Sequence, residues 1–197
     1  MSDRDPALSP RADALPPPGH HGPAGRTGII LAPAPALARL QIEARRPLGP
    51  DGEDNFAAAF GRPLPPVGRC ADADGLTLVR LAPGRVIAEA SDPDRLAALH
   101  PALAPLASLI DITDAHIRIR LDGPDVVDGL RRLVRLDLDL GAFPIGAVAM
   151  TGAHGVTVEL RRLQATTFDI GYSRSMAAGE IALLVTLLAP FGLAVTA

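Results

Sequence analysis

The chain has 197 residues, 48% of them apolar and 21% charged, the balance of a globular chain long enough to bury a sizeable core. All nineteen basic residues are Arg, so a Walker-type phosphate loop, a Schiff-base lysine and a lysine general base are excluded. A net charge of −3 gives no electrostatic footprint for nucleic acid. The single cysteine, Cys70, excludes an internal disulfide framework, a four-Cys zinc site and an iron–sulfur cluster, and points to a reducing cytoplasm.

Residues 1–36 stand apart. Eight prolines fall there, including Pro16-Pro17-Pro18, and the only apolar patch is Gly28 to Leu31. Such a segment buries too little apolar area to offset the entropy of ordering it, and reads as an extended or disordered arm. Its patch, Ile29, Ile30 and Leu31, is a candidate contact with a partner or with the domain itself. Met1 to Pro10 carries Asp3, Arg4 and Asp5 and no apolar core of a signal peptide.

One α+β domain is expected over 37–197, in halves of about 37–104 and 105–197. LARLQIEA, from Leu37, reads as a first strand, and Pro47 to Asp54 as a loop. Asp54 suits the N-cap of a short helix, Asn55 to Phe60, which Gly61 stops. Pro63 to Ala73 reads as a loop. A hairpin follows, Leu76 onward and Val86 to Ala90, turning at Pro83-Gly84. Ser91 or Asp92, then Pro93, opens a helix over Asp94 to Leu99.

In the second half, Ser108 to Thr113 reads as a strand. His116 to Leu121 alternates strictly, with Ile117, Ile119 and Leu121 inward and His116, Arg118 and Arg120 outward. Asp122-Gly123-Pro124 starts a helix whose Val126, Val127, Leu130, Leu133 and Val134 recur at helical spacing. Two strands, Ala147 to Thr151 and Val156 to Leu160, turn at Gly152 to Gly155. Thr167 to Tyr172 is the next strand. Ser173 or Ser175 caps a long apolar helix to about Ala189, and Leu193 to Thr196 suits a last strand. The stretch Ile181 to Val195 is fifteen residues, broken by Pro190 and Gly192, short of the about twenty that span a membrane. Antiparallel strands with helices returning across one face give an α+β sandwich of pseudo-duplicated, ferredoxin-like halves.

Chemistry-bearing residues do not converge. His20-His21 lack ligands at metal spacing. His100, before Pro101, and His154, in a hairpin turn, read as solvated. Cys70 has a neighbouring Arg69 to lower its pKa but no identifiable base. Asp137 and Asp139 share a face if LDLDL is an edge strand, and Asp111 and Asp114 read as solvated in the same way. His116, Arg118 and Arg120 suit an anion, a subunit contact, or cross-strand pairing with Glu159 and Asp169. Gly22, Gly25 and Gly28 mimic a glycine-rich loop but precede no strand–helix unit. No catalytic, cofactor-binding or metal residue is assigned.

The stretch from Leu133 to Leu193 carries a distinctive series: Phe143-Pro144-Ile145-Gly146, Thr151, Phe168-Asp169-Ile170, Arg174-Ser175-Met176-Ala177 and Phe191-Gly192. Upstream lie Asp111 to Ala115 and, after Gly123-Pro124, Val127-Asp128-Gly129-Leu130; Gly61 to Pro65 extends the series more weakly. In these features the chain resembles the gamma subunit of heterotetrameric sarcosine oxidase. It departs at Leu81 to Val86, where the family often has a Trp-bearing segment. The resemblance implies the folate-binding-domain fold of the glycine-cleavage T-protein superfamily. It implies a non-catalytic role beside alpha, beta and delta subunits in a cytoplasmic enzyme that oxidatively demethylates sarcosine or a related N-methyl amine. FAD, FMN, NAD, zinc and tetrahydrofolate would lie on the partner chains, with Ile29, Ile30, Leu31, Arg118 and Arg120 as partner contacts and no nucleic acid or membrane involved. The alternative is a stand-alone folate-binding or one-carbon-transfer protein of the same superfamily.

Overall fold

The computed structural model describes residues 14–46 and 49–196; the first thirteen residues of the arm and the start of the 47–54 loop lie outside the described residues. Two short strands come first, β1 (Gly19–His21) and β2 (Ile29–Pro33). The chain then divides into two compact units. One comprises residues 35–113 with 146–149, the other residues up to 34, 114–145 and 150 onward.

The unit of residues 35–113 holds β3 (Ala38–Ala44), α1 (Pro50–Phe60), β4 (Arg69–Ala73), β5 (Leu76–Ala82), β6 (Arg85–Ala90), α2 (Pro93–Ala97), α3 (His100–Leu103) and β7 (Ala107–Asp111). Its sheet is antiparallel, in the order β4-β5-β6-β3-β7. One face presents Leu40, Ile42, Leu76, Leu78, Val86 and Ala88; Phe56 and Phe60 of α1, Leu96 of α2 and Leu103 of α3 cover it. Phe56 and Phe60 are four apart on one helix face, their ring centroids 6.4 Å apart. α1 starts at Pro50, earlier than Asn55, because a proline belongs in the first helical turn; Gly49, not Asp54, is the N-cap. At α2 the expected Asp92 cap is present, its side chain accepting from the Asp94 N–H.

The other unit adds β8 (His116–Asp122), α4 (Val126–Arg131), β9 (Val148–Ala153), β10 (Val156–Arg162), β11 (Thr167–Ser173), α5 (Ala177–Leu188) and β12 (Leu193–Val195) to β1 and β2. Its seven strands run β1-β12-β2-β8-β11-β10-β9. Ile117, Ile119 and Leu121 of β8, with Phe168, Ile170 and Tyr172 of β11, form its buried apolar face, and Leu130 of α4 with Ile181, Leu184 and Leu188 of α5 are buried likewise. α4 comes so close that a Cβ on Gly129 would lie 2.6 Å from Leu188 Cδ2 and 2.9 Å from Ile29 Cδ1.

The two sheets share one plan. The run β3–α1–β5–β6–α2–α3–β7 has the spatial order β5-β6-β3-β7, and the run β8–α4–β10–β11–α5–β12 has β10-β11-β8-β12. Each is the ferredoxin-like order of first strand between third and fourth, with one extra strand, β4 or β9, beside the hairpin. The second copy differs in two respects: β2 is inserted between its first and last strands, antiparallel to β8 and parallel to β12, and β1 is added on the outer edge of β12.

That insertion changes the reading of the arm. Residues 19–21 and 29–33 are strands, because β8 and β12 satisfy the backbone groups that this segment cannot satisfy alone. Ile29 and Leu31 are fully buried. Gly28 is required by close approach, since a Cβ there would lie 2.1 Å from Asp125 Oδ2 and 2.5 Å from the Phe191 carbonyl oxygen. The boundary between halves also moves, since β7 pairs with β3 and so closes the first sheet. The expected loop over 63–73 contains β4, which turns into β5 through Asp74 and Gly75, both at positive φ. LDLDL is not a strand. The Asp139 N–H is taken by the Asp137 carboxylate, a local bond that competes with sheet pairing.

Candidate functional site

The outward positions of β8, β11 and β10 carry the densest set of ionisable side chains in the unit that holds them. Register aligns Arg120, Asp169 and Arg161 in one row across the three strands, and Arg118, Gly171 and Glu159 in the next. Asp169 is the hub. Its carboxylate accepts from Arg118 Nη2 at 3.0 Å, from Arg120 Nε at 2.8 Å and from Arg120 Nη2 at 3.1 Å. Gly171 lies between Arg118 and Glu159, and a Cβ there would make ordinary contact with Arg118 Cγ and Glu159 Cβ, each at 3.5 Å. Arg161 Nη2 reaches Glu159 Oε1 at 3.4 Å.

Arg118 is 5% exposed and Asp169 3%. Charges at that depth persist only when paired, and here the pairing comes from within the sheet. The hydrogen bonds it donates to Asp169 hold the Arg120 guanidinium above its ordinary range, against the opposing effect of partial burial. The arrangement is therefore the cross-strand ladder, one of the three roles the spacing allowed. Chemically it fixes register and orients a polar face. It contains neither a nucleophile–base pair nor two carboxylates in contrasting surroundings.

The first unit repeats the device across β3 and β6, where Arg39 faces Glu89, buried and bonded at 2.8 Å, and Glu43 faces Arg85 at the surface at 2.9 Å. Two further buried arginines serve loops. Arg80 donates to Glu53 and to the carbonyls of Pro65 and Pro83. Arg162 donates to the carbonyls of Leu138 and Phe143, both at 2.8 Å, and of Ala165 and Gln164, while its guanidinium lies 4.8 Å from the Phe168 ring. Burial pushes its pKa down. The residue pattern held one clue to Arg162. Adjacent arginines on a strand face opposite sides, so one of Arg161 and Arg162 must enter the apolar side.

The candidate contacts separate. Ile29 and Leu31 are taken up by the chain's own core, whereas Ile30 is 38% exposed. Ile30 pairs with Asp122, and Ala32 with Arg120, so Ile30 and Arg120 stand on the same face of neighbouring strands. Arg118 lies deeper on that face. Of the remaining candidates, Cys70 lies on β4, half-buried, its N–H bonded to the Gly146 carbonyl at 2.9 Å and its thiol to the same oxygen at 3.3 Å. His20 Nε2 bonds the Arg26 carbonyl, and His154 occupies the β9–β10 turn. Asp137 and Asp139 stay at the surface, Asp139 paired with Arg131. Asp111 takes the Thr113 N–H. Among the described residues no group of three or more His, Cys, Asp or Glu side chains is placed to hold a metal ion.

Comparison with solved structures places this architecture. The chain superposes on a chain of the heterotetrameric sarcosine oxidase from Corynebacterium sp. U-96, solved with pyrrole 2-carboxylate, with a TM-score of 0.75 and 23% identity over 92% of this chain and 90% of that one. The fold is a sarcosine-oxidase-like one. It is also found in the glycine cleavage system aminomethyltransferase T from Bartonella henselae, with a TM-score of 0.58 and 16% identity, covering 87% of this chain but about half, 48%, of that one. The expected α+β fold with two similar halves is thus present. No protein-family model and no curated protein sequence matches the chain. No helix among the described residues is long and apolar enough to cross a membrane.

Proposed function

We propose that this chain is the gamma-type, non-catalytic subunit of a multi-subunit sarcosine-oxidase-type flavoenzyme. The observation that carries the reading is the extent of the superposition. The match accounts for 90% of the sarcosine oxidase chain, but for only 48% of the aminomethyltransferase, a longer protein. The superposition is also tighter on the sarcosine oxidase chain, at a TM-score of 0.75 against 0.58 for the aminomethyltransferase.

On this reading the enzyme oxidatively demethylates sarcosine or a related N-methyl amine and passes the one-carbon unit to tetrahydrofolate. FAD, FMN, NAD, zinc and the folate site reside on alpha, beta and delta chains. This chain contributes folded surface and stabilises the complex. The ion pairs of Asp169 and Glu89 support that role, because they spend their charge on holding sheets together. Ile30 and Arg120 are the contacts proposed for a partner chain.

Co-expression of the tagged chain with candidate flavoprotein chains tests this. The expected result is a yellow complex with flavin absorbance and amine-dependent peroxide release. A colourless chain recovered alone rejects the subunit reading. Saturable calorimetric binding of tetrahydrofolate to that lone chain would establish the transferase-like alternative in its place.

A further inference from the structure

An open sheet ends in edge strands whose outer backbone groups need cover, and the five-stranded sheet treats its two edges differently. Beside β4 the cover comes from residues 146–148 of the same unit. There the Cys70 N–H bonds the Gly146 carbonyl and the Val148 N–H bonds the Gly68 carbonyl, both at 2.9 Å. β7 is the other edge, and no strand of the sheet flanks its outer side. It pairs with β3 without a slip. The Arg45 N–H bonds the Leu106 carbonyl and the Ile112 N–H bonds the Arg39 carbonyl, so Ser108 and Ile110, in step with these, turn their backbone groups to β3. The backbone groups of Ala107, Leu109 and Asp111 therefore point outward. Proline, lysine and bulges, the usual guards of an open edge, are absent from β7. Ser108, Ile110 and Asp111 are exposed, Ile110 at 47%.

We propose that β7 pairs antiparallel with the β7 of a second copy of this chain, joining two five-stranded sheets across a twofold axis. The edge is complementary to itself. With Leu109 opposite its own copy, Ala107 faces Asp111 and Ser108 faces Ile110, so the whole strand is paired. Leu109 packs against the apolar core beneath the helices, so the two copies continue one apolar face. Charge agrees with this direction. Arg45 and Arg46, both exposed, follow the end of β3 beside the start of β7, where Glu43 is already paired with Arg85. Asp111 stands at the other end of β7. An antiparallel partner brings the acidic end of each copy to the basic end of the other, whereas a parallel one sets like against like.

The test is sedimentation equilibrium of the purified full chain, with hydrogen exchange at the Leu109 amide. The expected result is a species of twice the 20.4 kDa chain mass that dissociates on dilution, with the Leu109 amide protected only while it persists. Ile110→Lys should raise the dissociation constant by at least about tenfold, because a lysine at an edge opposes strand addition. Asp111→Arg should act in the same sense by setting a cation against Arg45 and Arg46, and adding Arg45→Asp with Arg46→Asp should restore the dimer. A mass of 20.4 kDa at every concentration, or a dimer indifferent to both Ile110→Lys and the charge reversals, would overturn the proposal. So would a Leu109 amide protected only after co-expression with the flavoprotein chains, which would give the edge to a strand of theirs. The masses are read on the chain alone, so their failure leaves the subunit reading untouched.

Discussion

Asp169 accepts three hydrogen bonds from Arg118 and Arg120 at a depth where bulk water does not screen the charges. Removing its charge takes away the carboxylate that the buried Arg118 shares with Arg120. Asp169→Asn should therefore destabilise the chain by about 3–5 kcal/mol in chemical denaturation. Replacing Arg118 and Asp169 together with Met and Leu should recover much of that loss, because the penalty comes from breaking the pair. Arg162 depends on shape as well as charge. Its planar fork reaches four carbonyls that a lysine ammonium cannot span together, so Arg162→Lys should cost about 2 kcal/mol. Glu53 gives a pH signature. Its hydrogen bond from Arg80 lowers its pKa from the ordinary 4.5. A depressed carboxylate contributes stability above its unfolded pKa and loses it as pH falls through the folded one. The stability gap between wild type and Glu53→Gln should thus be full at neutral pH and close below 4.5, as read by melting temperature across a pH series.

At the scale of elements, what the sequence reveals depends on how local the cause is. β8 was readable because Ile117, Ile119 and Leu121 alternate with polar residues, and the register of Arg120 against Asp169 follows once β11 is recognised. α2 was readable because Asp92 and Pro93 form a cap and first turn by themselves. β2 was not readable as a strand, because its neighbours lie some ninety residues away at Leu121 and much farther at Val195, and its flanking prolines and glycines indicate an arm. The β4–β5 hairpin was written locally, in Asp74-Gly75 between runs that pair without a slip, and the loop reading passed over it. The insertion of β2 yields the sharpest prediction here. Deleting residues 1–33 removes two strands from the seven-stranded sheet and parts β8 from β12. The truncated chain should lose cooperative thermal unfolding in circular dichroism, whereas removal of a disordered arm would leave the transition intact.

At the scale of the whole molecule, two sheets repeat one strand order, and most deeply buried acids serve arginines of their own sheet. Such a chain is suited to presenting a stable surface. The face shared by Ile30 and Arg120 makes that account specific. Ile30→Asp places a charge at a half-exposed apolar position, so it should weaken partner capture by about tenfold or more while leaving the chain's own melting temperature within a few degrees.

The most direct test of the subunit account is native mass spectrometry of the particle captured on the tagged chain after co-expression with the candidate flavoprotein chains. The account predicts an assembly in which this 20.4 kDa chain is bound with flavin-bearing partners. Recovery of the chain as a 20.4 kDa species free of every partner would contradict it.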